Sequence, residues 1–226
     1  MRWTILVLAI LLLAAAPASS SEVPTYSLLV KEGSWALYEV LEAEGAKIYG
    51  ATVEPGSTVE FRLVGSDRLP AEGPGGQVIF YAEWPRCDVL VDGELVAENA
   101  STYLLWPFWP AEEGFWDALG SLGGEGLSLE DRGDEVLVTI KSAELGLRAE
   151  WEVRKADGLA LSYGAEKLNG GMRLRMAVKD TGLSVVAPPG EGTQATSEVP
   201  FDVWSCAAAA LAIFIVAGLA TLATRE

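Results

Sequence analysis

The stretch Leu145-Gly146-Leu147-Arg148-Ala149-Glu150-Trp151-Glu152-Val153-Arg154, continuing through Lys155-Ala156-Asp157-Gly158 to Leu159-Ala160-Leu161-Ser162-Tyr163, decides the fold. Leu145, Leu147, Ala149, Trp151 and Val153 alternate with Arg148, Glu150, Glu152 and Arg154. Successive side chains of a strand point to opposite faces, so a period of two buries one face and wets the other, whereas a helix would scatter the same residues around its surface. Asp157-Gly158 supplies the left-handed backbone that a tight reversal needs, and Leu159 to Tyr163 reads as the returning strand.

The same alternation recurs outward from this hairpin. Val59, Phe61 and Leu63 alternate with Glu60 and Arg62; Met172, Leu174, Met176 and Val178 alternate with Arg173, Arg175 and Lys179. Further strands are expected at Trp35 to Leu41, Ala46 to Val53, Ser57 to Leu63, Gln77 to Trp84, Cys87 to Val91, Glu94 to Ala97 and Glu135 to Lys141. Asp92-Gly93 and Asn169-Gly170-Gly171 act as reversals between them. The expected fold is mostly β: a curved antiparallel sheet of about nine or ten strands, apolar on one side and charged on the other. One segment breaks the period. Pro110-Ala111-Glu112-Glu113 is a helix start, and Phe115, Trp116, Leu119 and Leu122 follow at helical spacing. A one-sided sheet must cover its apolar face, so this short helix and its approach, Leu104-Leu105-Trp106-Pro107-Phe108-Trp109, are expected to lie against it.

The ends of the 226-residue chain read differently. Residues 1–20 carry Arg2, an apolar run from Trp3 to Ala16 and the small-x-small pattern Ala16-Pro17-Ala18, the marks of a signal peptide cleaved near Ala18. The apolar run is too short to span a hydrocarbon layer of roughly 30 Å. Val203 to Ala223 is twenty-one residues without a charge, long enough as a helix to span it. The expected organisation is a signal peptide at 1–20, an extracytoplasmic β domain at 21–184, a Pro-, Gly-, Ser- and Thr-rich linker at 185–202, a transmembrane helix at 203–223 and a cytoplasmic tail at 224–226. The location is a cell membrane, crossed once. Ala208 and Ala212, then Ala217 and Thr221, place small residues four apart and permit homodimerisation through the span.

The chain contains no histidine, which excludes a Ser-His-Asp triad, a Cys-His dyad and histidine-ligated zinc or haem. Of its 16 basic and 32 acidic residues, Arg2, Arg225 and Glu226 fall in the terminal segments, leaving 14 basic and 31 acidic outside the membrane, a net charge of −17. Such a surface repels nucleic acid, so no nucleic-acid partner is expected. Cys87 and Cys206 lie on opposite sides of the linker and do not suggest a bridge; Cys87 is expected to be a buried small hydrophobe.

The hairpin Trp151 to Tyr163, with the strand ending Lys179-Asp180-Thr181, resembles a pattern in uncharacterised archaeal secreted or membrane-anchored proteins, where an aromatic-acidic strand, a glycine turn and a leucine-rich return recur. It is also similar to the curved half-barrels of bacterial lipoprotein carriers, whose concave face holds acyl chains over a helix. That resemblance implies a hydrophobic ligand. Carriers of that kind shuttle, however, and a C-terminal span would hold this chain in place.

Three functional readings follow. The first is a non-enzymatic binding or structural module of the cell envelope, with an envelope protein, glycan or lipid as partner and the membrane held through the C-terminal helix. Its candidate ligand-binding residues are Trp106, Phe108, Trp109, Phe115 and Trp116, aromatics that either stack on a ligand or pack as core. The second is a half-barrel for a lipid or other hydrophobic ligand. The third is a carboxylate hydrolase, which needs two acids about 5 to 10 Å apart across a cleft. No catalytic residue, metal ligand or cofactor is assigned: Glu130-Asp131-Arg132-Gly133-Asp134-Glu135 lacks calcium-loop spacing and reads as a charged hairpin turn. Asn99-Ala100-Ser101 is a glycosylation sequon, with Asn99 the candidate acceptor.

Overall fold

The computed structural model describes residues 23–73, 76–102, 105–122 and 126–185. The expected signal peptide, membrane span, cytoplasmic tail and nearly all of the linker lie outside the described residues, as does Cys206. Among the described residues no helix is long and apolar enough to cross a membrane.

Two meanders make the sheet. The first contains β2 (Trp35–Glu44), β5 (Thr58–Glu72), β6 (Val78–Val91) and β7 (Glu94–Ser101), preceded by the short β1 (Thr25–Tyr26). Between β2 and β5, β3 (Lys47–Ile48) and β4 (Ala51–Thr52) form a separate small ladder. The second meander is β8 (Leu127–Asp131), β9 (Glu135–Ser142), β10 (Leu147–Arg154), β11 (Ala160–Lys167) and β12 (Arg173–Gly182). Antiparallel pairing of β2 with β12 joins them into one sheet of order β1-β6-β5-β2-β12-β11-β10-β9-β8, with β7 sharing the edge of β6 with β1. A strap from Leu105 and the helix α1 (Phe115–Ser121) connect the two meanders.

The alternation does what its period dictates. In register, Leu129, Val138, Trp151, Tyr163, Met176 and Val40 form one inward row across six strands. Trp151, Val138 and Val40 are almost fully excluded from solvent, and the row is continuous with a core that includes Tyr38, Phe61, Leu63, Phe80, Phe108, Trp109 and Phe115.

The sheet is curled into a half-barrel, and the rings prove it. Trp84 on β6 and Trp151 on β10 stand five strands apart, about 24 Å along a flat sheet at normal strand spacing. Yet Trp106 stacks on both, at centroid distances of 4.4 Å and 5.5 Å. Register shifts at Leu63/Gly65 on β5, Glu152/Val153 on β10, and Arg175/Met176 and Val178/Asp180 on β12 add the local twist that such curling requires.

Several expectations are corrected. The sheet is not wholly antiparallel, because β1 pairs with β6 in parallel, Thr25 opposite Tyr81. The segments Gln77 to Trp84 and Cys87 to Val91 are one strand. Pro85 looks like a strand breaker, but it falls where the outer edge of β6 passes from β1, paired at Tyr81 and Ala82, to β7, paired from Arg86. The expected strand at Ala46 to Val53 is the β3–β4 hairpin, reversed at Tyr49 and Gly50 with φ of 47° and 88°. A tyrosine in left-handed backbone gives no sequence signal of that turn. Strand β8 was not expected. The helix begins five residues after Pro110, because Pro110 bridges Leu28 and the Glu112 carboxylate accepts the Ser27 N–H at 2.9 Å, so this segment ties down the N-terminal strand instead.

Main-chain hydrogen bonds hold the strap against the β10–β11 turn. Trp109 N–H donates to Gly158 O at 2.8 Å, Ala160 N–H donates to Pro107 O at 2.9 Å, and Phe108 bridges Leu159. Asp157 supports the turn, accepting from both nitrogens of the Arg154 fork and from the Leu159 N–H. Gly158 has φ of 73°, and a Cβ there would lie 1.9 Å from Trp109 O. Gly158→Ala is therefore expected to cost more than about 3 kcal/mol, seen as a lowered urea midpoint, whereas Gly133→Ala, also left-handed but facing open space, costs about 1 kcal/mol.

Candidate functional site

Proline at 107 and 110 keeps the strap extended, and its tryptophans fall on the side that faces the sheet. Trp106 enters between Trp84 and Trp151 with ring planes inclined by 27° and 23°, so both of its faces are covered. Trp109 sets its edge against this stack, at 4.8 Å and 90° to Trp106 and 5.5 Å and 73° to Trp151. From Trp109 the contacts continue to Trp116 at 6.1 Å and on to Phe115, which meets Tyr26 and Phe80 edge-on. Edge-to-face and offset stacks are the favourable ring geometries, each adding about 0.5–1.5 kcal/mol beyond burial.

The five aromatic candidates thus divide. Phe108, Trp109 and Phe115 are core, at 0 %, 1 % and 0 % exposure, while Trp106 and Trp116 are half-buried. A sugar stacks on a ring face, and neither face of Trp106 is free. Phe108 stands apart from the ring chain at its bridge to Leu159. The cluster also includes Trp84, Trp151, Tyr163, Tyr26 and Phe80, which sequence reasoning left unassigned. For Trp84, Trp151, Tyr163 and Phe80, position on expected strands was the available signal; Tyr26 lies on β1, where no strand was expected.

Trp109, Trp116 and Trp151 each bury an indole N–H that has no hydrogen-bond partner among the described residues. An unpaired buried donor costs about 1–3 kcal/mol. Chemically, strap, helix and β10 each bring one such donor, from Trp109, Trp116 and Trp151, into an apolar surrounding.

Asn99 sits exposed in left-handed backbone, φ 48°, at a bulge where β7 carries one extra residue, Glu98 and Asn99 standing opposite Asp88. Its N–H donates to the Asp88 carboxylate at 2.8 Å. The hydroxyl of Ser101, the third sequon residue, donates to Asp67 at 2.9 Å, and its carbonyl accepts from the Tyr49 hydroxyl. In the folded domain the sequon hydroxyl is engaged.

Among the described residues no group of three or more Cys, Asp or Glu is placed to hold a metal ion. The carboxyls with shifted titration move downward. Asp131 is lowered by hydrogen bonds from Lys155 and the Gly133 N–H, and Asp92 chiefly by the Thr58 N–H. Cys87 is buried, and desolvation followed by the charge of Asp88 pushes its thiol well up. Tyr38, buried beside it, is likewise pushed up by burial, and its hydroxyl donates to Ala160 O at 2.6 Å. Both groups stay neutral in the folded state. The chain matches no known protein-family model and no curated protein.

Three outcomes are expected. Trp106→Ala, which empties the space between two rings, lowers stability by about 3 kcal/mol in urea unfolding, and Trp106→Phe by less. Cys87 in the native chain resists alkylation at pH 8 and is modified once the chain unfolds, as read by peptide mass mapping. Because the folded pKa of Asp92 is depressed, its contribution is present above the ordinary carboxylate range and lost as pH falls through the lowered value; Asp92→Asn therefore weakens the chain at neutral pH and flattens the loss of stability below about pH 4.

Proposed function

We propose that this chain is a single-pass, membrane-anchored module of the cell envelope, non-enzymatic, that acts by binding at the surface of its β domain. The observation that supports this reading most is the filled apolar face: Phe108, Trp109, Phe115 and Leu119 occupy the inside of the curl with the chain's own side chains. A half-barrel packed in this way is a rigid scaffold that presents its outer face and loops. The membrane anchor rests on the apolar run Val203 to Ala223 and the linker before it.

A second reading, a half-barrel for a hydrophobic ligand, draws on the three unpartnered indole donors. A ligand that slips between strap and sheet and carries an oxygen acceptor, such as an ester carbonyl, would satisfy them.

Two measurements test these readings. On alkaline extraction of membranes the full chain is expected to stay with the lipid pellet, and a chain ending at residue 202 to be released; release of the full chain would sink the anchor. Native mass spectrometry of the domain, freed from the purified full chain by proteolysis at the linker, is expected to show bare polypeptide, with or without glycan at Asn99. A bound species of lipid mass, lost on organic extraction, would replace the first reading with the second.

A further inference from the structure

The solvent face of the second meander carries two parallel rows of side chains. In register, one row runs Arg148, Glu166, Arg173, Glu44; its neighbour runs Glu150, Gly164, Arg175, Glu42. Glycine stands where the pattern calls for another charged side chain. The gap is a depression of about 290 Å³, walled by Glu42, Arg148, Glu150, Glu166, Arg173 and Arg175.

The fold does not demand this glycine. Gly164 is outside the left-handed region, and a Cβ would meet only Arg175 Cγ at 3.9 Å and Leu174 O at 4.0 Å, ordinary contact. Gly158 and Gly182 differ in kind, since a Cβ there would collide with Trp109 O and with the Trp35 indole. A glycine inside a strand weakens it, and one that sterics do not require marks either a bend or a place where something approaches the sheet closely.

The walls have hydrogen bonds to spare. Arg173 meets Glu166 at 3.8 Å, beyond hydrogen-bond reach, and Arg148 meets the same carboxylate at 3.8 Å. Arg175 makes one bond to Glu42 at 3.3 Å. Arg148 also pairs with Glu150, yet its Nε is buried without a hydrogen-bond partner among the described residues. Each guanidinium has five N–H groups and no acceptor; each carboxylate only accepts. Three of each make the lining neutral in sum. A lone anion would face three carboxylates and a lone cation three guanidiniums. A hydroxyl both donates and accepts, so a ring of hydroxyls satisfies both kinds of wall without upsetting the charge balance.

We propose that the notch over Gly164, between Glu150 and Arg175, is a binding site for a neutral saccharide ring laid flat on the sheet. With no aromatic face among its walls, the site is expected to bind in the millimolar range, about 1–10 mM. This inference rests on the sheet face alone and stands or falls independently of the membrane anchor.

Saturation-transfer NMR on the full-length chain tests it, with D-glucose, D-mannose and N-acetyl-D-glucosamine as probes and L-alanine as a zwitterionic control. Transfer to ring protons of at least one saccharide is expected, reduced at least fivefold in Arg175→Gln and in Gly164→Val, while Gly164→Ala melts within a few degrees of wild type. Absence of transfer to all three sugars overturns the proposal. So does transfer unchanged in both binding variants, or binding of L-alanine alone. A large drop in the melting temperature of Gly164→Ala also overturns it, because the glycine would then serve the bend of the sheet.

Discussion

Everything in this domain depends on one indole wedged between two others. Strands β6 and β10 belong to different meanders and are separated by four strands, yet Trp106 stacks on a ring from each. That contact is possible only in a curled sheet. A sheet with one apolar face must cover it, and here the cover is the short strap between the meanders, pinned by main-chain hydrogen bonds to the β10–β11 turn and by Leu28 and Ser27 at the N-terminal strand. Because the strap has little secondary structure of its own, its position is set by side-chain shape and a few backbone bonds. Gly158 is the point where the two chains come so close that no side chain fits.

The two faces of the sheet consequently have different physics. Inside, rings and aliphatic side chains exclude water, and the groups that could ionise there, Tyr38, Tyr163 and Cys87, are held neutral by burial. Outside, charge is abundant and predominantly acidic, and part of it is paired across neighbouring strands, as in Arg175 with Glu42 and Lys179 with Glu39. Such exposed pairs contribute little to stability. Their value is in patterning a surface, and an interruption such as Gly164 is conspicuous for that reason.

The sheet edges are managed rather than left open. The β7 edge carries a bulge at Asn99 with charged neighbours, and β5, where it runs past β2, contains Pro70 and the bulge at Val64. Helix α1 packs beside β8, with Gly120 against Leu129. Proline, bulges and helical cover each hinder pairing with another strand.

What the sequence determined by itself is the local part: strands from Trp35, Ser57, Glu135, Leu145 and Met172, the inward parity of Trp151 and Met176, and the reversals at Asp92-Gly93 and Asn169-Gly170-Gly171. A period of two and a left-handed turn need only neighbouring residues, so they can be read without a partner. The tertiary structure alone decided that Pro85 lies within a strand, that β1 runs parallel to β6, that Pro110 ties a strand instead of starting a helix, and that three of the five aromatic candidates on the strap and helix α1 are core. Each of these depends on what lies across a ladder or a ring contact from residues far along the chain. For the same reason Gly164 looks like an unremarkable strand glycine until Arg175 and Glu150 are set on either side of it.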